Sequence, residues 1–216
     1  MNTDYARLQM VNQQVRGWNV YDEDVLAMLR QLPREDFVPA GFESLAFADT
    51  AIPLGHGEHM MTPTQEGRLL QALGLNGSED VLEIGTGSGF MTACLATLAR
   101  QVTSVDIYAD FVDDAGRKLA DAGIDNVALL QMDATRELPD AKFDAIAVTG
   151  SIQEFDPRLV EALNPHGRLF VIVGDSPAME AKLIERTDER DWQTRSLFET
   201  DIAPLVHGAI ARQFSF

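Results

Sequence analysis

Asp80-Val81-Leu82-Glu83-Ile84-Gly85-Thr86-Gly87-Ser88-Gly89 is a short apolar run that closes on an acid and passes into three alternating glycines. Glycine lacks a Cβ, so such a segment can turn sharply out of a strand, approach a ligand closely and enter a helix without clashing. The spacing discriminates between ligands. A dinucleotide fingerprint places its glycines at i, i+2 and i+5 and aims a helix N-terminus at a pyrophosphate; here they fall at i, i+2 and i+4, with Glu83 two residues before the first. A carboxylate there repels a phosphate and suits a cation. S-adenosylmethionine carries a sulfonium and an ammonium and no phosphate, so this loop fits it better than it fits NAD. A strand-to-helix turn without a ligand explains one glycine easily, and three glycines with Glu83 poorly.

Outward from this loop, short apolar runs alternate with longer amphipathic ones, the pattern of βαβ units and a parallel sheet. Strands are predicted at Val81 to Ile84, Val102 to Asp106, Val127 to Gln131, Phe143 to Val148 and Arg168 to Val173. Helices are predicted at Ser88 to Leu98, Ala109 to Ala122, ended by Gly123, Pro157 to Leu163, and near Met179 to Arg186. Trp192 to Glu199 and Ala209 to Phe216 are expected to close the chain as an antiparallel strand pair. Toward the N-terminus, Tyr5 to Val15 and Asp22 to Leu32 have helical period, Asp22 being an N-cap type, whereas Pro33 to Met61 reads as irregular. The expected architecture is α/β: a Rossmann-like doubly wound sheet with an N-terminal helical and irregular cap. One domain is expected over residues 1–216, with the cap at 1–62 and the cofactor-binding core at 63–216.

In an open α/β sheet, ligands bind at the carboxyl ends of the strands. Three acids fall there: Glu83, Asp106 and Asp133. Asp106 is placed to accept both ribose hydroxyls of a nucleoside, and Asp133 to accept from an adenine amino group. Thr149 and Ser151, after the fourth strand, are able to bond a substrate or to cap a turn. Gly55-His56-Gly57-Glu58-His59 superficially suggests a metal pair, but its spacing matches no zinc motif, so no metal is expected. His166 lies in a turn and His207 in a loop. Cys94, the only cysteine, excludes an internal disulfide and reads as a small buried residue.

The composition, 45% hydrophobic and 24% charged, is that of a globular protein. A net charge of −17 without clustered Lys or Arg argues against nucleic-acid partners. No apolar run is long enough to span a bilayer, and the first residues lack a signal-peptide layout, so a cytoplasmic protein without a membrane partner is expected. Oligomeric state is not legible.

Gln14-Val15-Arg16-Gly17, Leu32 to Pro39, Ala48 to Gly57, Val81 to Gly89, Asn164 to Leu169 and Ala203-Pro204-Leu205 together resemble the protein-L-isoaspartate O-methyltransferase family over nearly the whole chain. The glycine loop alone indicates the wider class I of S-adenosylmethionine-dependent methyltransferases; the N-terminal blocks make the likeness specific. The resemblance implies S-adenosylmethionine as cofactor and S-adenosylhomocysteine as product. It places the donor on Glu83, Ile84, Gly85, Thr86, Gly87, Gly89, Asp106, Ile107, Asp133 and Ala134. It puts Thr62, His59 and Thr149 on the acceptor side, facing a protein, peptide or small-molecule carboxylate. Two departures stand out. The family's Ile-Ser-x-Pro aligns with Met60-Met61-Thr62-Pro63, so Met61 occupies the active-site serine position, and a thioether cannot donate a hydrogen bond. Asp106 stands where the family commonly has Glu. A carboxylate acceptor that is isoaspartate or some other group therefore stays open, as does a catalytically silent donor-binding protein acting as sensor or partner subunit. An NAD-dependent oxidoreductase is the third reading, disfavoured by the glycine spacing.

Overall fold

The structure is a computed structural model, and it describes residues 3–188 and 191–208. Helix α1 (Thr3–Gln9) runs into a wider turn at Met10–Val15 that buries Met10, Val11 and Val15. Helix α2 (Glu23–Gln31) starts where expected: the Asp22 carboxylate accepts the Asp24 and Val25 N–H groups at 3.0 and 3.2 Å. Within the stretch read as irregular, β1 (Ile52–Gly55) and β2 (Glu58–Met60) form a two-stranded hairpin. Helix α3 (Pro63–Leu73) follows, although it was not expected. Thr62 and Gln65 form a reciprocal capping box with Pro63 opening the first turn.

The core then reads β3 (Asp80–Ile84), α4 (Phe90–Leu98), β4 (Gln101–Asp106), α5 (Ala109–Asp121), β5 (Val127–Gln131), β6 (Phe143–Ile152), α6 (Pro157–Glu161), β7 (Leu163–Asp175), β8 (Ala178–Arg186) and β9 (Trp192–Thr200). The seven strands lie in the order β5-β4-β3-β6-β7-β8-β9. Pairs from β5 to β7 are parallel, and β8 and β9 are antiparallel additions. The chain winds outward from β3 to β5 and then crosses back to β6, so the switch point lies between β3 and β6, where an α/β sheet offers a crevice.

Alternation along the strands separates two apolar faces. Val81, Ala145, Ala147, Phe170 and Ile172 share one cluster with the N-terminal segment and helices α2 to α4. Leu82, Ile84, Ile146, Val148, Leu169 and Val171 share the other with α6.

One expectation is corrected. Met179 to Arg186 is not a helix but strand β8, paired antiparallel with β7. Gly174, at φ +127°, allows the close return, since a Cβ there would lie 2.8 Å from the Ala178 carbonyl oxygen. Trp192 to Glu199 is a strand, as expected, and pairs antiparallel with β8; the segment expected to pair with it, Ala209 to Phe216, lies outside the described residues. Among the described residues, no helix is long and apolar enough to cross a membrane.

Candidate functional site

A cleft opens at the carboxyl ends of β3, β4, β5 and β6, roofed by the β1–β2 hairpin and by Ile202 to Val206.

The glycine loop forms the floor. Gly85 has φ +101°, and a Cβ there would lie 2.3 Å from Thr149 Oγ1, so both backbone shape and neighbour demand glycine. Ile84, Gly85, Thr86 and Gly87 line the cleft. Gly89 instead begins α4, against Ala115. Glu83 does not line the cleft but sits fully buried, where its Oε2 accepts hydrogen bonds from Thr92 (2.5 Å) and Ser104 (2.6 Å). Its Oε1 is buried without a partner. Burial pushes the Glu83 carboxyl up to about 8, opposed by the Ser104 and Thr92 hydrogen bonds and helped by the charge of Asp106.

Asp106 and Ile107 line the next wall. The Asp106 carboxylate accepts the Gly87 N–H at 2.9 Å and the Tyr108 N–H at 3.0 Å, so it ties the glycine loop to the start of α5. Burial raises its pKa, with those backbone donors opposing. Asp133 and Ala134 continue the wall. Asp133 Oδ1 accepts from Thr135, and Oδ2 meets His207 Nδ1 at 2.9 Å and Arg136 Nε at 3.0 Å. Burial acts to raise the Asp133 pKa, but the Thr135 and His207 hydrogen bonds outweigh it, and the net shift is downward.

On the opposite wall, His59, Met61 and Thr149 line the cleft. The Thr149 hydroxyl donates toward the carbonyls of Ile84 (3.0 Å) and Gly85 (2.8 Å), buttressing the glycine loop. Thr62 is the exception among the expected acceptor-side residues. It does not line the cleft, because its hydroxyl caps α3 by accepting the Gln65 N–H and lies 3.1 Å from Thr64 Oγ1. Ser151 donates to the Ile202 carbonyl and so holds the C-terminal roof. His56 and His59 form no metal site: among the described residues, no three His, Cys, Asp or Glu side chains converge.

Two residues unread in the sequence organise this wall. Arg34 is fully buried and donates to both Glu66 oxygens at 3.0 Å, to the Ala46 carbonyl and to the Met61 carbonyl (2.7 Å each). Its guanidinium also lies 5.3 Å from the centre of the Phe90 ring. Glu58 also lines the cleft; burial and the nearby Asp106 raise its pKa.

The family model for protein-L-isoaspartate(D-aspartate) O-methyltransferase matches residues 6–209. Protein-L-isoaspartate O-methyltransferase 1 of Rhodopseudomonas palustris (strain HaA2) is 38% identical over 202 residues, 93% of this chain and 82% of the relative. The Methanoculleus marisnigri protein-L-isoaspartate O-methyltransferase is 37% identical, over 93% of this chain and 91% of its own. Among solved structures, a Plasmodium falciparum chain described as a protein-L-isoaspartate O-methyltransferase, in complex with S-adenosyl-L-homocysteine, superposes with a TM-score of 0.80 at 20% identity, covering 92% of this chain and 97% of that one. That likeness establishes the class I methyltransferase fold. With the sequence matches spanning both walls of the cleft, the chain belongs to the protein-L-isoaspartate(D-aspartate) O-methyltransferase family.

Proposed function

We propose that this chain transfers a methyl group from S-adenosylmethionine to a carboxylate, and that the acceptor is the isoaspartyl residue named for its relatives. The observation that carries the reading is the family match over residues 6–209, which includes the glycine loop and the hairpin facing it. The residues present fit the donor. Glu58, Asp106 and Asp133 line the cleft, and no Lys or Arg does among the described residues, which suits a cationic ligand without phosphate. Asp106 is the acceptor for the ribose hydroxyls, Asp133 with Ala134 borders the adenine, and Gly85 to Gly87 allow close approach of the backbone. When bound, S-adenosylmethionine supplies an electrophilic methyl group on a positively charged sulfur.

The chain's own residues then have a modest chemical task. A free carboxylate ionises near pH ~4 and is already anionic at neutral pH, so no general base is required. What remains is alignment, and bringing two reactants into line is a positioning effect. Met61 offers no hydrogen bond to the acceptor and the Thr62 hydroxyl is committed to its helix. His59 is the acceptor-side group in the cleft able to donate one, with Thr149 holding the floor beneath. The buried apolar contacts that N-terminal residues make with the sheet support reading residues 1–216 as one domain.

A second reading is favoured by Met61 itself: a protein that binds donor or product without turnover. The deciding experiment is transfer of a labelled methyl group to an isoaspartyl peptide, with the matched aspartyl peptide as control and binding of S-adenosylhomocysteine measured beforehand. Selective labelling is expected. Tight binding without labelling of isoaspartyl peptides, small carboxylates or amines would favour the silent binder.

A further inference from the structure

The Gly55-His56-Gly57 tip of the hairpin has no place in the chemistry above, yet its side-chain contacts are specific. His56 adopts φ +54° between Gly55 at φ +120° and Gly57 at φ +86°. That left-handed conformation is open to glycine and uncommon for other residues, so a histidine there is held by its contacts. They are specific. The imidazole stacks on Tyr108 with ring centres 4.0 Å apart and planes 8° from parallel. Its edge meets Phe111 at 5.4 Å, and Nε2 lies 2.9 Å from Asp110 Oδ2. The hydrogen bond from His56 is the main reason the Asp110 carboxyl lies below its ordinary range.

The partners define what these contacts do. Tyr108 and Phe111 both line the cleft, and the Tyr108 N–H is bonded to Asp106, the proposed ribose acceptor. Across the hairpin turn, β2 carries Glu58 and His59 into the same cleft. His56 itself does not line it. One side chain thus ties the wall that would hold the donor to the wall that would meet the acceptor. Otherwise the tip is loosely held: among the described residues β1 and β2 pair only with each other, the register shifts between Pro53 and Gly55, and the three tip residues are exposed. The other half of the roof is secured differently. Its backbone is stitched to β6 by Ser151 N–H to Ala203 O (3.0 Å) and Leu205 N–H to Ser151 O (2.8 Å).

We propose that His56 is a positioning residue that latches the hairpin over the donor site, so that the nucleoside product leaves when the imidazole lifts from Tyr108. This rests on the donor reading. Side-chain contacts break more readily than a bridged backbone, so the hairpin side is the exit.

The test is the dissociation rate of S-adenosylhomocysteine, followed by chasing labelled ligand from the protein with excess unlabelled ligand. His56→Gly removes the contacts while supplying the residue that best tolerates the local backbone, so its thermal midpoint is expected to stay near that of the parent. Its dissociation rate is expected to rise about tenfold, the combined worth of an aromatic stack and an exposed hydrogen bond to a carboxylate. His56→Phe keeps the stack and loses the bond to Asp110; its rate is expected within about threefold of the parent. Asp110→Asn, which leaves the hairpin untouched, is expected to give a similar small rise. Equal rates for His56→Gly and the parent, or a His56→Phe rate as fast as that of His56→Gly, would overturn the latch. Absence of any S-adenosylhomocysteine binding by the parent protein would remove the donor reading first, and the latch with it.

Discussion

The two walls of the cleft are held in place by different means. On the donor wall, the glycine loop, Asp106 and Asp133 follow the ends of β3, β4 and β5, whose register is set by parallel ladders such as Val81↔Val102 and Val102↔Val127. Backbone hydrogen bonds carry that geometry. On the acceptor wall, Glu58 to Met60 belong to a hairpin that, among the described residues, pairs only with itself, and Met61 follows it; single side chains carry the geometry: Arg34 from beneath and His56 at the tip. Of the two departures from the family pattern noted in the sequence, Met61 falls on this second wall and Asp106 on the first. A wall fixed by backbone can change function only through the few residues that touch the ligand, whereas a wall hung on side chains can also be reshaped from behind.

Removing Arg34 attacks the weaker wall most directly. Arg34→Ala would leave the Glu66 carboxylate buried without its partner and the Met61 and Ala46 carbonyls without their donor. A loss of about 3–5 kcal/mol is expected in urea unfolding. Arg34→Met with Glu66→Leu removes both charges and is expected to recover more than half of that loss. A cost for Arg34→Ala below about 1 kcal/mol, the worth of a surface pair, would mean that the wall does not hang on this residue.

Glu83 probes the stronger wall. Its carboxyl, pushed up to about 8 from an ordinary value of 4.5, holds a proton in the folded chain that the unfolded chain releases. The folded state binds more protons between those values, so stability falls as pH rises from about 4.5 to about 8 and levels above; one group contributes up to about 1.4 kcal/mol per pH unit in that window. Glu83→Gln should remove this component, so that the variant gains on the parent with rising pH. Parallel pH profiles of urea midpoints would show that Glu83 is already ionised in the fold.

The donor wall was the legible part of the sequence, and the reason is geometric. Strands β3, β4 and β5 announce themselves by apolar runs between turns, and acids at strand ends are placed by the sheet whatever else varies. Met179-Glu180-Ala181-Lys182-Leu183-Ile184 misled because its apolar residues suit a helical face as well as alternate burial, and only pairing with β7 decides for the strand. Helix α3 was readable from Thr62-Pro63-Thr64-Gln65, a capping box with proline at the first helical position, and the same observation removes Thr62 from the cleft. The Arg34 to Glu66 pair spans 32 residues and has no local signature. The His56 contacts depend on the hairpin folding back over α5, which spacing does not reveal.

Asp106→Ala separates ligand binding from wall integrity. It deletes the proposed ribose acceptor together with the partner of the Gly87 and Tyr108 N–H groups. Affinity for S-adenosylhomocysteine, measured by calorimetry, is expected to fall by about 10- to 100-fold, the worth of hydrogen bonds to a charged group. Asp106→Glu, which restores the residue common in the family, should bind within a few-fold of the parent. Unchanged affinity in Asp106→Ala would place the nucleoside elsewhere in the cleft.

The last expected effect bears most directly on the acceptor. Met61 is 6% exposed and contributes to the cleft a thioether where the family pattern has a serine hydroxyl. If the acceptor is isoaspartate, Met61→Ser returns one hydrogen bond to its carboxylate. A hydrogen bond to a charged group contributes about 1.5–3 kcal/mol, so kcat/KM for an isoaspartyl peptide should rise by about 10- to 100-fold. Affinity for S-adenosylhomocysteine should not change, because the donor wall is fixed by the sheet. The opposite result, a fall in transfer at unchanged donor affinity, would mean that Met61 fits the native acceptor as it stands. The departure on the hairpin wall would then be a change of specificity rather than a tolerated loss.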